Sequence, residues 1–260
     1  AASAGMRKQL RDRDQRERLL EIIQNREIWT AFQPIVELES GDVMGWEGLS
    51  RGPRGTDIEL PLALFGLSGR HGVTEELERA CRRQAFVDWK ALARDGRLFI
   101  NTVPATVRDT SFLGRGVLDS LGSDLSPREV TREITERSVI DNLNLYREAM
   151  HDFTDLGFSF AIDDVGAGYS GLETVATLKP AYLKIDMSLV RVVHQKRVSQ
   201  QVVKAMLERG DGFGARVIAE GVETREEADA LADIGVRWVQ GYLFARPVDP
   251  YAENPELPES

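Results

Sequence analysis

Polar side chains of the kinds that bind metal ions or move protons stand at the ends of short apolar segments along most of the chain. With one adjacent pair counted once, the seven positions are Glu47, Asn101, Glu133, Asp163–Asp164, Lys184, Glu220 and Gln240. Each ends or follows a segment with the composition of a β-strand, such as RLFIN before and including Asn101. Burying such groups costs several kcal/mol each unless they are paired or bound to metal. Strand ends that carry these groups are typical of the active site of a parallel α/β barrel.

The types of these side chains indicate divalent cations. Several carboxylates within a few ångströms of one another cannot all stay ionised without cations. Oxygen ligands from Glu, Asp and Asn suit Mg²⁺ or Mn²⁺, whereas His71, His151 and His194 lack the spacing of zinc ligands. Each position alone is weak evidence, since an Asp–Asp pair often only caps a helix. The collective pattern predicts a metal site.

A metal pair bridged by carboxylates, with a lysine beside it, suits phosphodiester hydrolysis. Two ions stabilise the attacking and leaving oxygens of an in-line displacement, and one of them lowers the pKa of a bound water. A buried cation such as Lys184 would orient that water and neutralise developing charge. A glycosidase also uses two carboxylates, but it needs neither the amide nor the Asp–Asp pair.

The elements that position these residues alternate between strand and helix. The segments WTAFQPIVEL and DVMGWEGLS are separated by only about three residues, so the first two strands are predicted to be antiparallel. Every later strand follows a helical segment. Asp141 is predicted to cap one helix, and Thr224 with Glu227 to form a capping box on another. The pattern predicts an α/β fold, a (β/α)₈ TIM-like barrel with its first strand antiparallel to the others.

A doubly wound open sheet is the competing architecture. It is less favoured because the functional residues stand at the ends of many strands rather than at one switch point. Residues 1–25 form a charged helical segment with a narrow apolar stripe, so we expect a linker or signalling helix there and the barrel over residues 26–260. A first helix packed on the barrel is the alternative interpretation, and both stay open.

Bulk composition excludes several classes of protein. The formal net charge of −9 argues against binding to a nucleic-acid polymer. Cys81 is the single cysteine, which rules out an intramolecular disulfide and fits a reducing cytoplasm. No apolar run approaches the roughly twenty residues that span a bilayer, so no membrane contact by this domain is expected.

The motifs taken together resemble a known family. FQPIVEL, WEGLSR, FIN, EITE, AIDDVGAGYSGL, LKPAYLKID, IAEGVE and QGYLFARP occur in the order found in EAL-domain cyclic di-GMP phosphodiesterases, from about Ile28 to Pro247. The resemblance implies a barrel with a reversed first strand and hydrolysis of cyclic di-GMP to linear pGpG with Mg²⁺ or Mn²⁺. Ca²⁺ is expected to be inhibitory.

The resemblance also implies roles for individual residues. The expected ligands of the first metal are Glu47, Asn101, Glu133 and Asp163. Asp163 is expected to bridge to the second metal, which Asp164 also binds and Glu220 binds directly or through water. Lys184 and Gln240 are expected to hold the attacking water, and with Glu47 and Glu220 they form the predicted catalytic set. Glu136 is expected to brace the DDVGAGYSGL loop, Arg51 to grip a substrate phosphate, and Gln33 to sit near a guanine.

The chain departs from the family pattern at three positions. Gly48 stands where the signature has Ala, which removes one methyl group and weakens the strand by about 0.5–1 kcal/mol. Val165 replaces the usual Phe of the loop, and Gly171 replaces the usual Ser. These changes affect the loop thought to link dimerisation to metal binding, so we expect them to alter regulation more than chemistry.

These observations favour a cyclic di-GMP-specific phosphodiesterase that ends a bacterial second-messenger signal. The main alternative is a catalytically silent cyclic di-GMP receptor, and a phosphodiesterase for another nucleotide is a third possibility. The resemblance further implies a homodimer, an upstream sensory or regulatory domain, and a cytoplasmic location, either alone or as the cytoplasmic part of a larger protein.

Overall fold

Eight strands of the described residues close into a barrel. The computed structural model describes residues 2–92, 95–107, 121, 125–167 and 177–252. The strands are β1 (Trp29–Glu37), β2 (Val43–Arg51), β3 (Arg97–Asn101), β4 (Val130–Thr135), β5 (Ser159–Val165), β6 (Tyr182–Ile185), β7 (Arg216–Ala219) and β8 (Trp238–Val239). They pair in chain order, and β8 closes the barrel against β1. The predicted TIM-like barrel is confirmed.

Strand β1 runs against both of its neighbours. It pairs antiparallel with β2, with Gln33 opposite Glu47, and antiparallel with β8, with Val36 opposite Val239. The pairs from β2–β3 to β7–β8 are all parallel. The short connection between β1 and β2 requires this reversal, because a parallel crossover needs a dozen or more residues.

Among the described residues, α-helices follow β2, β4, β6 and β7. The described α-helices are α1 (Ala2–Asn25), α2 (Pro61–His71), α3 (Thr74–Leu92), α4 (Glu136–Asp141), α5 (Leu143–Asp155), α6 (Met187–Val190), α7 (Arg197–Phe213) and α8 (Arg225–Ile234). The capping box of Thr224 and Glu227 at the start of α8 is confirmed. The predicted cap at Asp141 is wrong, because that residue ends the short helix α4 and Asn142 precedes α5.

The last turns of α1 pack on the barrel's helical layer. Leu19 and Ile22 are buried in an apolar cluster with Leu64 of α2 and Leu77 of α3, whereas residues 12–18 are exposed. The assignment of residues 1–25 to a separate linker or signalling unit stays a prediction. Within the described ranges, no helix combines the length and the apolar character that a membrane crossing requires.

A layer of apolar side chains fills the barrel interior beneath the predicted site. It consists of Ile35, Phe99, Ala161, Tyr182 and Ile218. Four members of this layer stand two residues before a site residue, and alternate residues of a strand face the same side. The pairs are Phe99 and Asn101, Ala161 and Asp163, Tyr182 and Lys184, and Ile218 and Glu220. Ile35 stands two residues after Gln33, as the reversed direction of β1 requires. The Phe99 and Tyr182 rings meet edge to face with their centroids 5.0 Å apart.

Candidate functional site

The barrel brings the predicted site residues together at the carboxyl ends of the parallel strands. Asn101 ends β3, while Glu220 and Gln240 directly follow β7 and β8. Glu47 lies within β2 rather than at its end, because this strand continues to Arg51, one residue beyond the predicted segment DVMGWEGLS. The extension follows from the hairpin register, in which Trp29 at the start of β1 pairs with Arg51.

Lys184 lies at the centre of the acidic cluster and is completely buried. Its Nζ is 2.6 Å from Glu133 Oε1, 2.7 Å from Glu220 Oε1, 3.2 Å from Glu47 Oε2 and 3.7 Å from Asp163 Oδ1. Burial alone lowers the pKa of Lys184, but the charges of Asp163, Glu133 and Glu220 outweigh it and raise that pKa well above its usual value. The lysine is therefore a cation that can donate hydrogen bonds and cannot serve as a base.

Two amides hold the Glu47 carboxylate in place. Asn101 Nδ2 donates to Glu47 Oε1 at 3.0 Å, and Gln240 Nε2 donates to Glu47 Oε2 at 2.8 Å. Burial raises the pKa of Glu47, but the Lys184 charge and the Gln240 hydrogen bond exceed that effect, so the pKa is lowered overall. Glu47 is thus held ionised.

Glu133 and Glu220 indicate that Lys184 alone does not balance the negative charge of the cluster. Burial is the main reason why the pKa of both carboxyls is raised well above the usual value despite Lys184. The next contribution is the charge of Glu47 for Glu133 and the charge of Asp163 for Glu220. Glu133 Oε1 takes the short contact with Lys184 Nζ, whereas within the described part of the chain Glu133 Oε2 has no hydrogen-bond partner. A buried carboxylate in this state favours an additional cation.

The Asp163–Asp164 pair and Glu220 form a set of oxygen donors. One ligand atom from each lies within 4.8 Å of the others. Burial and the neighbouring Asp163 charge raise the pKa of Asp164 to about 6. Asp164 has a φ of 57°, a left-handed conformation that is uncommon outside glycine, and its backbone N–H donates to Asp163 Oδ1 at 2.9 Å.

The donor set fits a divalent cation. The ligands are oxygens, the carboxylates around Lys184 outnumber its one positive charge, and Glu133 Oε2 has no partner among the described residues, all of which suit Mg²⁺ or Mn²⁺. Four of the expected ligands lie around Lys184, namely Glu47, Glu133, Asp163 and Glu220, and Asp163 and Glu220 also lie close to Asp164. The structure therefore places every expected ligand at one mouth.

Glu136 lies where the predicted loop brace requires it. Its buried carboxylate accepts a hydrogen bond from the backbone N–H of Gly166 at 3.1 Å, which ties the start of α4 to the turn after β5. Val165 is fully buried at the end of β5. Gly171 and the rest of 168–176 lie outside the described residues.

Gln33 and Arg51 occupy different environments. Gln33 is buried, and its amide bonds to Ala245 O at 3.0 Å and to Gln240 Nε2 at 3.2 Å. Arg51 is half-buried at the end of β2, where its guanidinium donates to the carbonyls of Leu49 and Ser50 at 3.3 and 3.1 Å. Burial lowers the pKa of Arg51 from its usual value. The predicted guanine contact of Gln33 and phosphate contact of Arg51 stay predictions.

The sequence analysis missed a buried ion pair beside the site. A cavity of about 610 Å³ is lined by Asn101 and Asp164, by apolar side chains of β2, α2 and β3, and by Glu78 and Arg82 of α3. Arg82 Nη1 contacts both carboxylate oxygens of Glu78, at 2.8 and 2.6 Å. The spacing of four residues between Glu and Arg on a helix was the available signal.

The comparisons with known proteins agree with this geometry. The sequence profile of the EAL domain family matches residues 16–247. The chain is 30% identical over 240 residues to the probable cyclic di-GMP phosphodiesterase PdeB of Escherichia coli K12, which covers 88% of this chain and 44% of PdeB. The chain spans about a third of the length of the first mycobacterial relatives, of which 36% is covered.

Solved structures share the fold. BlrP1 of Klebsiella pneumoniae, in a complex with manganese and cyclic di-GMP, has a TM-score of 0.77 at 32% identity over 85% of this chain and 56% of that one. A standalone EAL protein of Vibrio cholerae, in a cyclic di-GMP-bound form, has a TM-score of 0.73 at 30% identity over 85% of this chain and 92% of that one.

Proposed function

Because the chain belongs to the EAL domain family, we propose that it is a metal-dependent phosphodiesterase that hydrolyses cyclic di-GMP to linear pGpG. The supporting observation is a buried lysine, Lys184, surrounded by carboxylates that exceed its charge. A protein that only bound the dinucleotide would have no need for this surplus of buried carboxylates. Similarity to cyclic di-GMP-bound structures supports the choice of substrate.

The acidic residues are proposed to hold two divalent cations. The first site takes Glu47, Asn101, Glu133 and Asp163, and the second takes Asp163, Asp164 and Glu220. When bound, the cations supply charge that stabilises the attacking and leaving oxygens and lowers the pKa of the attacking water. Asn101 contributes twice, because its side-chain oxygen is a ligand while its Nδ2 orients Glu47.

Lys184 is proposed to orient the attacking water. Its raised pKa keeps the ammonium protonated, so it donates a hydrogen bond and balances the negative charge that develops in displacement. Glu220, 2.7 Å from Lys184 Nζ, fixes the direction in which the ammonium points. Gln240 completes the set as a second group that touches the water.

The substrate is proposed to lie across the mouth. Arg51 grips one phosphate from the end of β2, because guanidinium suits phosphate geometry. The adjoining cavity of about 610 Å³ offers apolar walls beside Asp164 and Asn101. The homodimer, the upstream regulatory domain and the cytoplasmic location are proposals that rest on the family resemblance.

The decisive experiment is a time course of pGpG formation from cyclic di-GMP. We expect turnover with Mg²⁺ or Mn²⁺, loss of turnover in excess chelator, and substrate binding with little turnover in Ca²⁺, whose larger and looser coordination sphere positions water poorly. Full activity in excess chelator would contradict the two-metal proposal.

The same assay separates the alternatives. Tight binding of cyclic di-GMP by calorimetry, without pGpG under any metal, would identify a silent receptor. Faster hydrolysis of cyclic di-AMP or a mixed cyclic dinucleotide would identify a different substrate. The matched control is Asp163→Asn, which removes a bridging carboxylate with almost no change in size.

A further inference from the structure

A chain of amides links the closing seam of the barrel to Glu47. Gln33 lies on β1, Gln240 follows β8, and the two side chains meet where these strands close the barrel. Both are buried, with exposed fractions of 8% and 3%. Gln33 Nε2 donates to Ala245 O, Gln240 Nε2 donates to Gln33 Oε1 and also to Glu47 Oε2.

The two ends of this chain determine the orientation of both amides. A backbone carbonyl such as that of Ala245 can only accept, so the Gln33 side chain must turn its NH₂ group toward it. Gln33 Oε1 then faces Gln240 and requires a donor. Gln240 Nε2 donates both to Gln33 Oε1 and to Glu47 Oε2, so both partners take the NH₂ group of Gln240.

The orientation leaves Gln240 Oε1 as a free acceptor. This oxygen is buried and, among the described residues, accepts no hydrogen bond. Leaving a buried acceptor without a donor is unfavourable, so this oxygen favours a donor such as water. The reversed orientation would instead present an NH₂ group at this place and an oxygen to the Glu47 carboxylate.

We propose that Gln33 is a positioning residue that acts through Gln240. By holding the Gln240 amide in one orientation, Gln33 makes Gln240 Oε1 accept a hydrogen bond from the attacking water, while Lys184 donates one. The inference rests on the proposed hydrolysis of cyclic di-GMP and replaces the expected contact of Gln33 with a guanine. The chain of hydrogen bonds that orients Gln240 then begins at the Ala245 carbonyl, 212 residues from Gln33 in the chain.

The test is a double-mutant cycle on Gln33 and Gln240. Gln33→Met removes the amide but keeps a side chain of similar length, and we expect kcat to fall about tenfold, as for loss of an outer orienting partner, with KM unchanged. Gln240→Met should lower kcat further. The double variant should be no slower than Gln240→Met alone, because Gln33 acts only through Gln240.

A conservative variant separates orientation from packing. A neutral carboxyl in Gln33→Glu can donate its O–H to Ala245 O and still accept from Gln240 Nε2 through its C=O, so its kcat should exceed that of Gln33→Met. Thermal unfolding of each variant checks the fold. If Gln33→Met does not fold, the kcat of Gln33→Glu is compared with those of the parent and of Gln240→Met, and this comparison tests whether Gln33 orients Gln240.

Specific outcomes overturn the proposal. Additive losses in the cycle would show that Gln33 acts independently of Gln240, and so would equal losses in Gln33→Glu and Gln33→Met. A raised KM in Gln33→Met, with weaker discrimination between cyclic di-GMP and cyclic di-AMP, would restore the guanine contact. A parent protein that forms no pGpG would overturn the proposed function and this inference together, whereas an active parent with an additive cycle overturns the inference alone.

Discussion

The barrel interior carries two adjacent layers that share the same strands and differ completely in chemistry. The lower layer is apolar and includes Phe99, Tyr182 and Ile218, whereas the residues two positions further along the same strands are Asn101, Lys184 and Glu220. The side chains of the lower layer are stabilised by packing against one another. In the upper layer Lys184 is fully buried, Glu220 is partly buried and Asn101 is exposed, and among the described residues this layer keeps surplus negative charge and unpaired acceptors. Along each of these strands, the residue that packs the interior and the residue of the candidate site are therefore two positions apart.

Replacing a ligand in the upper layer should have the largest effect on turnover. Asp163→Asn removes a carboxylate shared by both proposed cations, so metal binding and pGpG formation should both fall below detection. The matched change in the lower layer is Phe99→Leu, which should lower the free energy of unfolding by about 1 kcal/mol and leave metal affinity intact. Calorimetric metal titration of both variants checks this, and equal loss of metal affinity would erase the distinction between the layers.

Lys184→Met tests whether the upper layer needs its own cation. Turnover should fall about a hundredfold or more, as for loss of one oxyanion-type donor, while cyclic di-GMP binding persists in the presence of metal. Without metal, the variant leaves buried carboxylates uncompensated and should lose about 3–5 kcal/mol of stability. Calorimetry beside chemical unfolding measures both. Loss of ligand binding as complete as in Asp163→Asn would assign Lys184 to anchoring the site rather than the water.

The stability of the metal-free protein should fall as the pH rises. The pKa of Asp164 is raised to about 6, and those of Glu133 and Glu220 are raised well above the usual value. The folded state thus binds protons more tightly than the unfolded state, and this contribution is present at low pH and lost as the pH rises through about 6 and beyond. Glu47, whose pKa is lowered from 4.5, contributes in the opposite direction only at more acidic pH.

Urea unfolding in chelator between roughly pH 5 and pH 8 measures this slope. Mg²⁺ should remove most of it, since the cation stabilises the ionised carboxylates that the protons otherwise neutralise. Asp164→Asn should make the slope shallower without metal. A metal-free protein that gains stability across this range would show that the carboxylates of the upper layer are already compensated.

Gly48→Ala should have the smallest effect. A Cβ at Gly48 would lie 3.3 Å from Thr30 Cγ2 and 3.5 Å from the carbonyl oxygen of Phe99. This tight contact offsets the roughly 0.5–1 kcal/mol gained from a less flexible strand, so turnover should stay within a few-fold of the parent. Initial rates at saturating substrate are the measurement. An inactive parent that Gly48→Ala converts into an enzyme would favour the silent receptor.

The strand order and the grouping of the site were predictable from local signals. The reversed β1 follows from a connection too short for a crossover, and the acidic positions follow from polar residues that end apolar runs. The predicted segment DVMGWEGLS already carried β2 past Glu47 to Ser50, and the hairpin register with β1 extends it to Arg51. The cap at Asp141 was wrong because a short helix not predicted from the sequence, α4, ends at that residue, and Asn142 precedes α5.

The amide chain from Ala245 to Glu47 was also invisible in the sequence. Its members are distant in the chain and meet only when β8 closes against β1. Residue type indicates that Gln33 and Gln240 can donate and accept, but only the spatial partners decide which end of each amide does so. The roles of individual site residues came from the family resemblance, and the structure adds their hydrogen bonds.

The reversal of β1 decides where mechanical force enters the barrel. In an all-parallel barrel the first strand begins at the face opposite the active site, whereas here Trp29 begins β1 opposite Arg51, at the catalytic face. The connection from α1 therefore reaches the barrel four residues before Gln33. A displacement of α1 would therefore act first on the rim that holds Arg51, without crossing the packed interior.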